Sequence, residues 1–249
     1  MTKNKHETSA RPIVFCDFDG TITLADVTDM ILSKLADPAW RKIERAWRDG
    51  KIGSRECLGR QLALVKATPE ALNEVVDSAP LDPGFRDFVR FVRRKQIPFI
   101  VTSDGLDYVI RRVLAQSGFH AGPRNGIHFF SASGRLAEGR LVVSFPHASA
   151  SCRDGCATCK PRILEVERTD HWPVIYVGDG LSDRHAVKHA DFVFARQPLL
   201  NLCRKEGIPC RPFDTFRDIA DALGSWPVTG KRIGKDSPSR AALSAPALE

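Results

Sequence analysis

The first apolar run of the chain, Ile13-Val14-Phe15-Cys16, is continuous rather than alternating and stops at Asp17, the pattern of a short strand buried on both faces. Phe85, Phe88, Val89 and Val92 recur at i, i+3, i+4 and i+7 and predict an amphipathic helix. Asp82 and Pro83 supply its cap and first turn, and Arg93, Arg94 and Lys95 place cations where the helix dipole favours them. A second continuous run, Phe99-Ile100-Val101-Thr102, follows directly. Val174-Ile175-Tyr176-Val177, closed by Gly178-Asp179-Gly180, and Phe192-Val193-Phe194-Ala195 predict two further strands, with a helical stretch from Ser182 to His189 between them. This alternation predicts an α/β fold, a doubly wound parallel sheet wrapped by helices.

Two stretches depart from that rhythm. Between the first strand and Asp82 the pattern is helical throughout, with helix starts at Asp37-Pro38 before Trp40 and at Thr68-Pro69-Glu70 before Leu72. This predicts an inserted α-helical cap over 24–80, flanked by core segments 11–23 and 81–226. In 126–145, Ile127-His128-Phe129-Phe130 and Leu141-Val142-Val143 flank a turn region from Gly134 to Gly139, an antiparallel hairpin signal. Residues 1–10 read as a flexible N-terminus. Residues 227–249 mix Gly, Pro, Ser, Ala and Lys without apolar periodicity and read as a disordered tail.

Composition narrows the class without choosing a function. With 43% hydrophobic and 27% charged residues over 249 positions, the chain has the balance of a globular protein. No apolar run approaches the roughly 20 residues of a membrane helix, and Met1–Ala10 lacks the apolar stretch of a signal peptide, so no membrane partner and a cytoplasmic location are expected. Seven cysteines, an odd number, argue against a secreted disulfide framework. The net charge of +7 favours anionic partners. Its basic residues are scattered and lack interleaved aromatics, so nucleic acid is not the expected partner. Residues 39–66 hold eight Lys or Arg against three acidic residues, which suits a solvated helix face as well as a substrate-facing one.

The chemistry sits at strand ends. Asp17-Phe18-Asp19-Gly20-Thr21 alternates two carboxylates and then turns at a glycine. A phosphate ester repels nucleophiles, so its hydrolysis needs an activated nucleophile, a neutralising cation and an acid for the leaving oxygen. Asp17 and Asp19 can divide two of these tasks. Ser103 follows the second run, Lys160 precedes Pro161 and a helical stretch from Ile163 to Glu167, and Gly178-Asp179-Gly180-Leu181-Ser182-Asp183 places two carboxylates four apart.

In order and spacing these four segments resemble the four motifs of the haloacid dehalogenase superfamily, over about residues 11 to 225. The resemblance implies a phosphatase with a type-one helical cap that acts on a small phosphorylated metabolite. Asp17 would be the nucleophile that carries an aspartyl-phosphate, Asp19 the general acid and base, Ser103 a phosphate hydrogen-bond donor and Lys160 the neutralising cation. It also implies Mg2+ at Asp17, Asp19, Asp179 and Asp183, and substrate contacts from Thr21, Asp26, Arg60 and Gly105. Within the superfamily, the methionine-salvage phosphatases resemble the chain in Asp26, in Gly59-Arg60, in Pro146-His147 ahead of a cysteine-rich loop ending Cys159-Lys160-Pro161, and in Phe194-Ala195-Arg196. The phosphoserine phosphatases usually have glutamate where Asp26 stands. A phosphoserine phosphatase or a phosphotransferase of the same superfamily is the alternative reading.

Two features stand apart from this pattern. The second motif reads Ser103-Asp104-Gly105 where Ser-Gly-Gly is common, which sets an extra carboxylate beside an anionic substrate. Cys152, Cys156 and Cys159, with His147 upstream, could form a tetrahedral Zn2+ site that fixes the loop before Lys160, stay as free thiols, or pair as a disulfide.

Overall fold

The computed structural model describes residues 11–122, 126–169 and 172–226, so the expected flexible N-terminus and disordered tail lie outside the described residues. The elements run β1 (Ile13–Cys16), α1 (Val27–Leu35), α2 (Trp40–Arg48), α3 (Ser54–Leu62), α4 (Pro69–Asp77), α5 (Phe85–Arg94), β2 (Phe99–Leu106), α6 (Asp107–Gln116), β3 (His128–Ala137), β4 (Arg140–Ser144), α7 (Lys160–Glu167), β5 (Val174–Gly178), β6 (Phe192–Ala195), α8 (Leu199–Lys205), β7 (Cys210–Pro212) and α9 (Phe216–Gly224). This is an α/β core of alternating strands and helices with a helical insertion, α1 to α4, after the first strand. Among the described residues no helix is long and apolar enough to cross a membrane.

The chain forms two compact units. Of the described residues, the first gathers 11–15, 83–99, 164–169 and 172–226. Its strands neighbour one another in the order β1-β5-β6-β7. β5, β6 and β7 run parallel, with Ile175 opposite Phe192 and Val193 opposite Cys210. Every residue of β1, β5 and β6 is buried, which is why these strands read as unbroken apolar runs. α5 packs against α9 through interlocked rings: Phe85 meets Phe216 edge-on at 5.3 Å and Phe88 meets the same ring at 5.0 Å.

Phe85, Phe88, Val89 and Val92 are the buried face of α5, as the periodicity predicts. The N-cap position is Gly84, and Asp82, two residues earlier, is buried and donates its backbone N–H to the Ile22 carbonyl at 3.0 Å. The helical stretch expected over 182–189 is corrected: the chain makes two 3-10 turns, Leu181–Asp183 and Ala186–His189. The Asp183 carboxylate accepts from the N–H groups of Asp179 and Gly180, and this local competition holds the turn tighter than an α-helix.

The second unit holds Cys16–Asp82 and Ile100–Ile163. β2 and β3 pair in parallel and β3 and β4 antiparallel, while α6 lies on β3. The hairpin is present, but its turn is only Glu138-Gly139, with φ of 49° and 73°, the positive pair a tight two-residue turn requires. Gly134 to Ala137, expected in the turn, belong to β3. In the insertion α1 packs with α4 and α2 with α3. Thr68 caps α4 by accepting the Ala71 N–H at 3.2 Å, ahead of Pro69 in the first turn. Thr68→Ala is therefore expected to cost about 1 kcal/mol in chemical denaturation, the usual loss for a removed N-cap.

Candidate active site

Asp17 follows β1 without a break, and Lys160 opens α7. The Lys160 ammonium donates to Asp17 Oδ1 at 2.9 Å, and the two side chains are only 2% and 6% exposed. Burying either charge alone would be costly, and here each offsets the other at hydrogen-bond distance.

Asp19, two residues on, is aimed by the insertion. Its Oδ1 accepts the Val27 N–H at 2.8 Å, at the first residue of α1. Asp26 caps that helix, its carboxylate accepting the Asp29 N–H at 2.8 Å. The other oxygen of Asp19 lies over Gly105. A Cβ built there would stand 2.7 Å from Asp19 Oδ2 and 3.1 Å from Ser103 Oγ, so any side chain would push into both groups. Ser103 is buried, and its hydroxyl accepts the Gly105 N–H at 2.9 Å. Asp17, Asp19, Ser103, Gly105 and Lys160 thus belong to one compact unit, as do Thr21, which is buried after Asp19, and the cap residues Asp26 and Arg60. Arg60 sits on α3, exposed, and pairs with Glu56 one turn earlier at 3.0 Å.

In the other unit, Asp183 is fully buried. Tyr176 donates its hydroxyl to Asp183 Oδ1 at 2.6 Å, and Oδ2 receives the N–H groups of Asp179 at 3.2 Å and Gly180 at 3.3 Å. A side chain at Gly178 would collide with Asp183 Oδ2, a physical reason for glycine ahead of Asp179.

The haloacid dehalogenase-like hydrolase family matches residues 14–188. The chain belongs to this family. A 2-hydroxy-3-keto-5-methylthiopentenyl-1-phosphate phosphatase of Geobacillus thermodenitrificans (strain NG80-2) is 34% identical over 218 residues, covering 85% of this chain and 94% of the relative. The enzyme of that name from Bacillus pumilus (strain SAFR-032) is 34% identical over 212 residues, covering 84% and 89%. Among solved structures, a haloacid dehalogenase-family hydrolase of Salmonella enterica serovar Typhi superposes with a TM-score of 0.68 at 19% identity, over 88% of this chain and 73% of that one. A substrate-bound phosphoserine phosphatase superposes with a TM-score of 0.65 at 19% identity, over 85% and 97%.

The chain is a Mg2+-dependent phosphatase of the haloacid dehalogenase-like family. Its donor set fits that ion: the carboxylates of Asp17, Asp179 and Asp183 are hard oxygen ligands of the kind Mg2+ takes alongside several waters.

Among the described residues, His147, Cys152, Cys156 and Cys159 are not brought together as a second set of metal donors, so the Zn2+ alternative gains no support. The His147 ring packs edge-on against Phe130 at 5.0 Å, and burial, reinforced by His128, holds its pKa below the usual histidine range. Cys152, Cys156 and Cys159 are free thiols. Burial pushes Cys152 up, but hydrogen bonds from Cys156, the Asp154 backbone and Cys159 outweigh it and the net direction is down. Burial and then Cys152 push Cys156 up to about 12.

Sequence reasoning passed over Tyr176, Ser54 and Thr158. Tyr176 carried a signal, since a phenol inside an otherwise aliphatic buried strand must find a partner. Ser54 and Thr158 gave none. Ser54 Oγ accepts the Ala157 N–H at 2.9 Å across 103 residues, a tie invisible to local pattern.

Proposed function

We propose that the chain removes phosphate from 2-hydroxy-3-keto-5-methylthiopentenyl-1-phosphate, with Asp17 as nucleophile. The buried contact of Lys160 with Asp17 carries the reading of the mechanism, because it is the arrangement an attacking carboxylate needs: ionised, fixed and relieved of part of its charge. The substrate reading is supported by relatives of that name, which the chain matches over nearly their whole length.

An oxygen of Asp17 attacks phosphorus while the bond from phosphorus to the substrate's ester oxygen breaks. Asp19, oriented by the Val27 N–H, gives its proton to that oxygen. Asp19, now a carboxylate, takes a proton from water as the water attacks phosphorus. The bond from phosphorus to Asp17 breaks, phosphate leaves, and Asp19 is again protonated. Ser103 holds a phosphoryl oxygen, Gly105 keeps the space beside Asp19 open, and Lys160 offsets the charge that Asp17 carries before attack and regains when its bond to phosphorus breaks. Mg2+, when bound by Asp17, Asp179 and Asp183, supplies further positive charge to the phosphoryl oxygens. Asp183 shapes the turn that presents Asp179, and Tyr176 holds Asp183.

The test is steady-state kinetics on purified protein with Mg2+. The methylthiopentenyl phosphate is expected to exceed phosphoserine in kcat/KM by more than about tenfold, the discrimination a modest pocket difference gives. A preference for phosphoserine would overturn the substrate reading and leave the phosphatase reading standing.

A further inference from the structure

The extra carboxylate of the second motif, Asp104, sits between Ser103 and Gly105, where a charge facing the substrate would repel phosphate. Its Oδ1 instead accepts the Thr158 N–H at 2.8 Å. Thr158 is two residues before Lys160, and its carbonyl accepts the Lys160 N–H at 2.8 Å.

This segment leads into α7 without regular structure of its own, so its backbone N–H groups need partners from elsewhere. Ala157 finds Ser54 Oγ at 2.9 Å, Thr158 finds Asp104, and Cys159 finds the His147 carbonyl at 2.9 Å. The Gly155 carbonyl accepts the Arg55 N–H at 3.0 Å. Of these ties, the one from Asp104 leads straight from the serine-bearing end of β2 to the lysine-bearing loop, and it is a charge-assisted bond, stronger than a neutral one.

We propose that Asp104 is a positioning residue, whose carboxylate holds the Thr158 amide and thereby sets where the Lys160 ammonium meets Asp17. The inference rests on the phosphatase reading above for its catalytic consequence and on the hydrogen-bond geometry alone for the tether. Misplacing a charge-neutralising group by about 1 Å costs up to roughly 10²-fold in rate, so a modest loop shift suffices to be seen. An acceptor, and not a charge, is what the Thr158 N–H requires, and an asparagine keeps that acceptor in place.

The experiment compares the full chain with Asp104→Ala and Asp104→Asn. It measures kcat and KM for para-nitrophenyl phosphate with Mg2+, together with amide hydrogen exchange of peptides covering 157–160. Asp104→Ala is expected to lose roughly ten- to a hundredfold in kcat with KM nearly unchanged, and to exchange faster over 157–160. Asp104→Asn is expected to recover most of kcat and the slow exchange. Unchanged exchange in Asp104→Ala, or a loss in Asp104→Asn as large as in Asp104→Ala, would overturn the proposal. A wild-type protein that hydrolyses no phosphomonoester would defeat the phosphatase reading instead, and the exchange rates would still decide whether Asp104 holds the loop.

Discussion

Asp17→Asn is expected to reduce kcat by more than about 10⁴-fold, the order of loss when a covalent nucleophile is removed from a site that works as a unit. Asparagine is nearly isosteric and keeps an oxygen that can accept from Lys160, so the 2.9 Å contact can persist and the fold with it. What disappears is the negative oxygen that bonds to phosphorus. Asp19 is held for a different task, its Oδ1 accepting the Val27 N–H at 2.8 Å. The measurement pairs turnover of a good substrate with mass spectrometry after acid quench, which should find phosphate on Asp17 in the wild type and none in the variant. Retention of more than about a hundredth of wild-type activity would transfer the nucleophile role elsewhere, since general acid–base help alone accounts for about 10²–10⁴.

What the sequence made legible follows a physical divide. β1, β5 and β6 are buried along their whole length and so announce themselves as apolar runs, and the carboxylates that follow β1 and β5 inherit that clarity. Where structure depends on distant partners, local pattern falls short. β2 runs on through Ser103-Asp104-Gly105 to Leu106, polar residues that read as the loop after a strand. Gly134 reads as a turn residue, yet it pairs with Val143 in the hairpin, because register with β4 outweighs its intrinsic preference. The three-residue β7 is too short for periodicity to register. Asp104 is the sharpest case: the sequence shows an unwelcome charge, and only the fold shows the amide of Thr158 that uses it.

Lys160→Met is expected to have two separable effects. The substitution keeps the length and apolar stem of the side chain and removes only the ammonium, so packing at the start of α7 is largely preserved. In catalysis, loss of a preorganised cation beside the charge that develops on phosphoryl transfer should lower kcat by about 10²–10³-fold. In stability, the variant leaves Asp17 ionised and buried without the cation it faces at 2.9 Å, and stripping one partner from such a pair typically costs about 3–5 kcal/mol. Much of that cost comes from the buried carboxylate that keeps its charge, more than from the lost attraction. In the double variant Asp17→Asn/Lys160→Met no charge is stranded, so most of the lost stability should return while activity stays absent. Denaturant midpoints of the four proteins, taken without Mg2+, measure the coupling directly. If the double variant is as unstable as Lys160→Met alone, the penalty comes from misfitting the methionine, and the ion pair is not what holds this part of the site together.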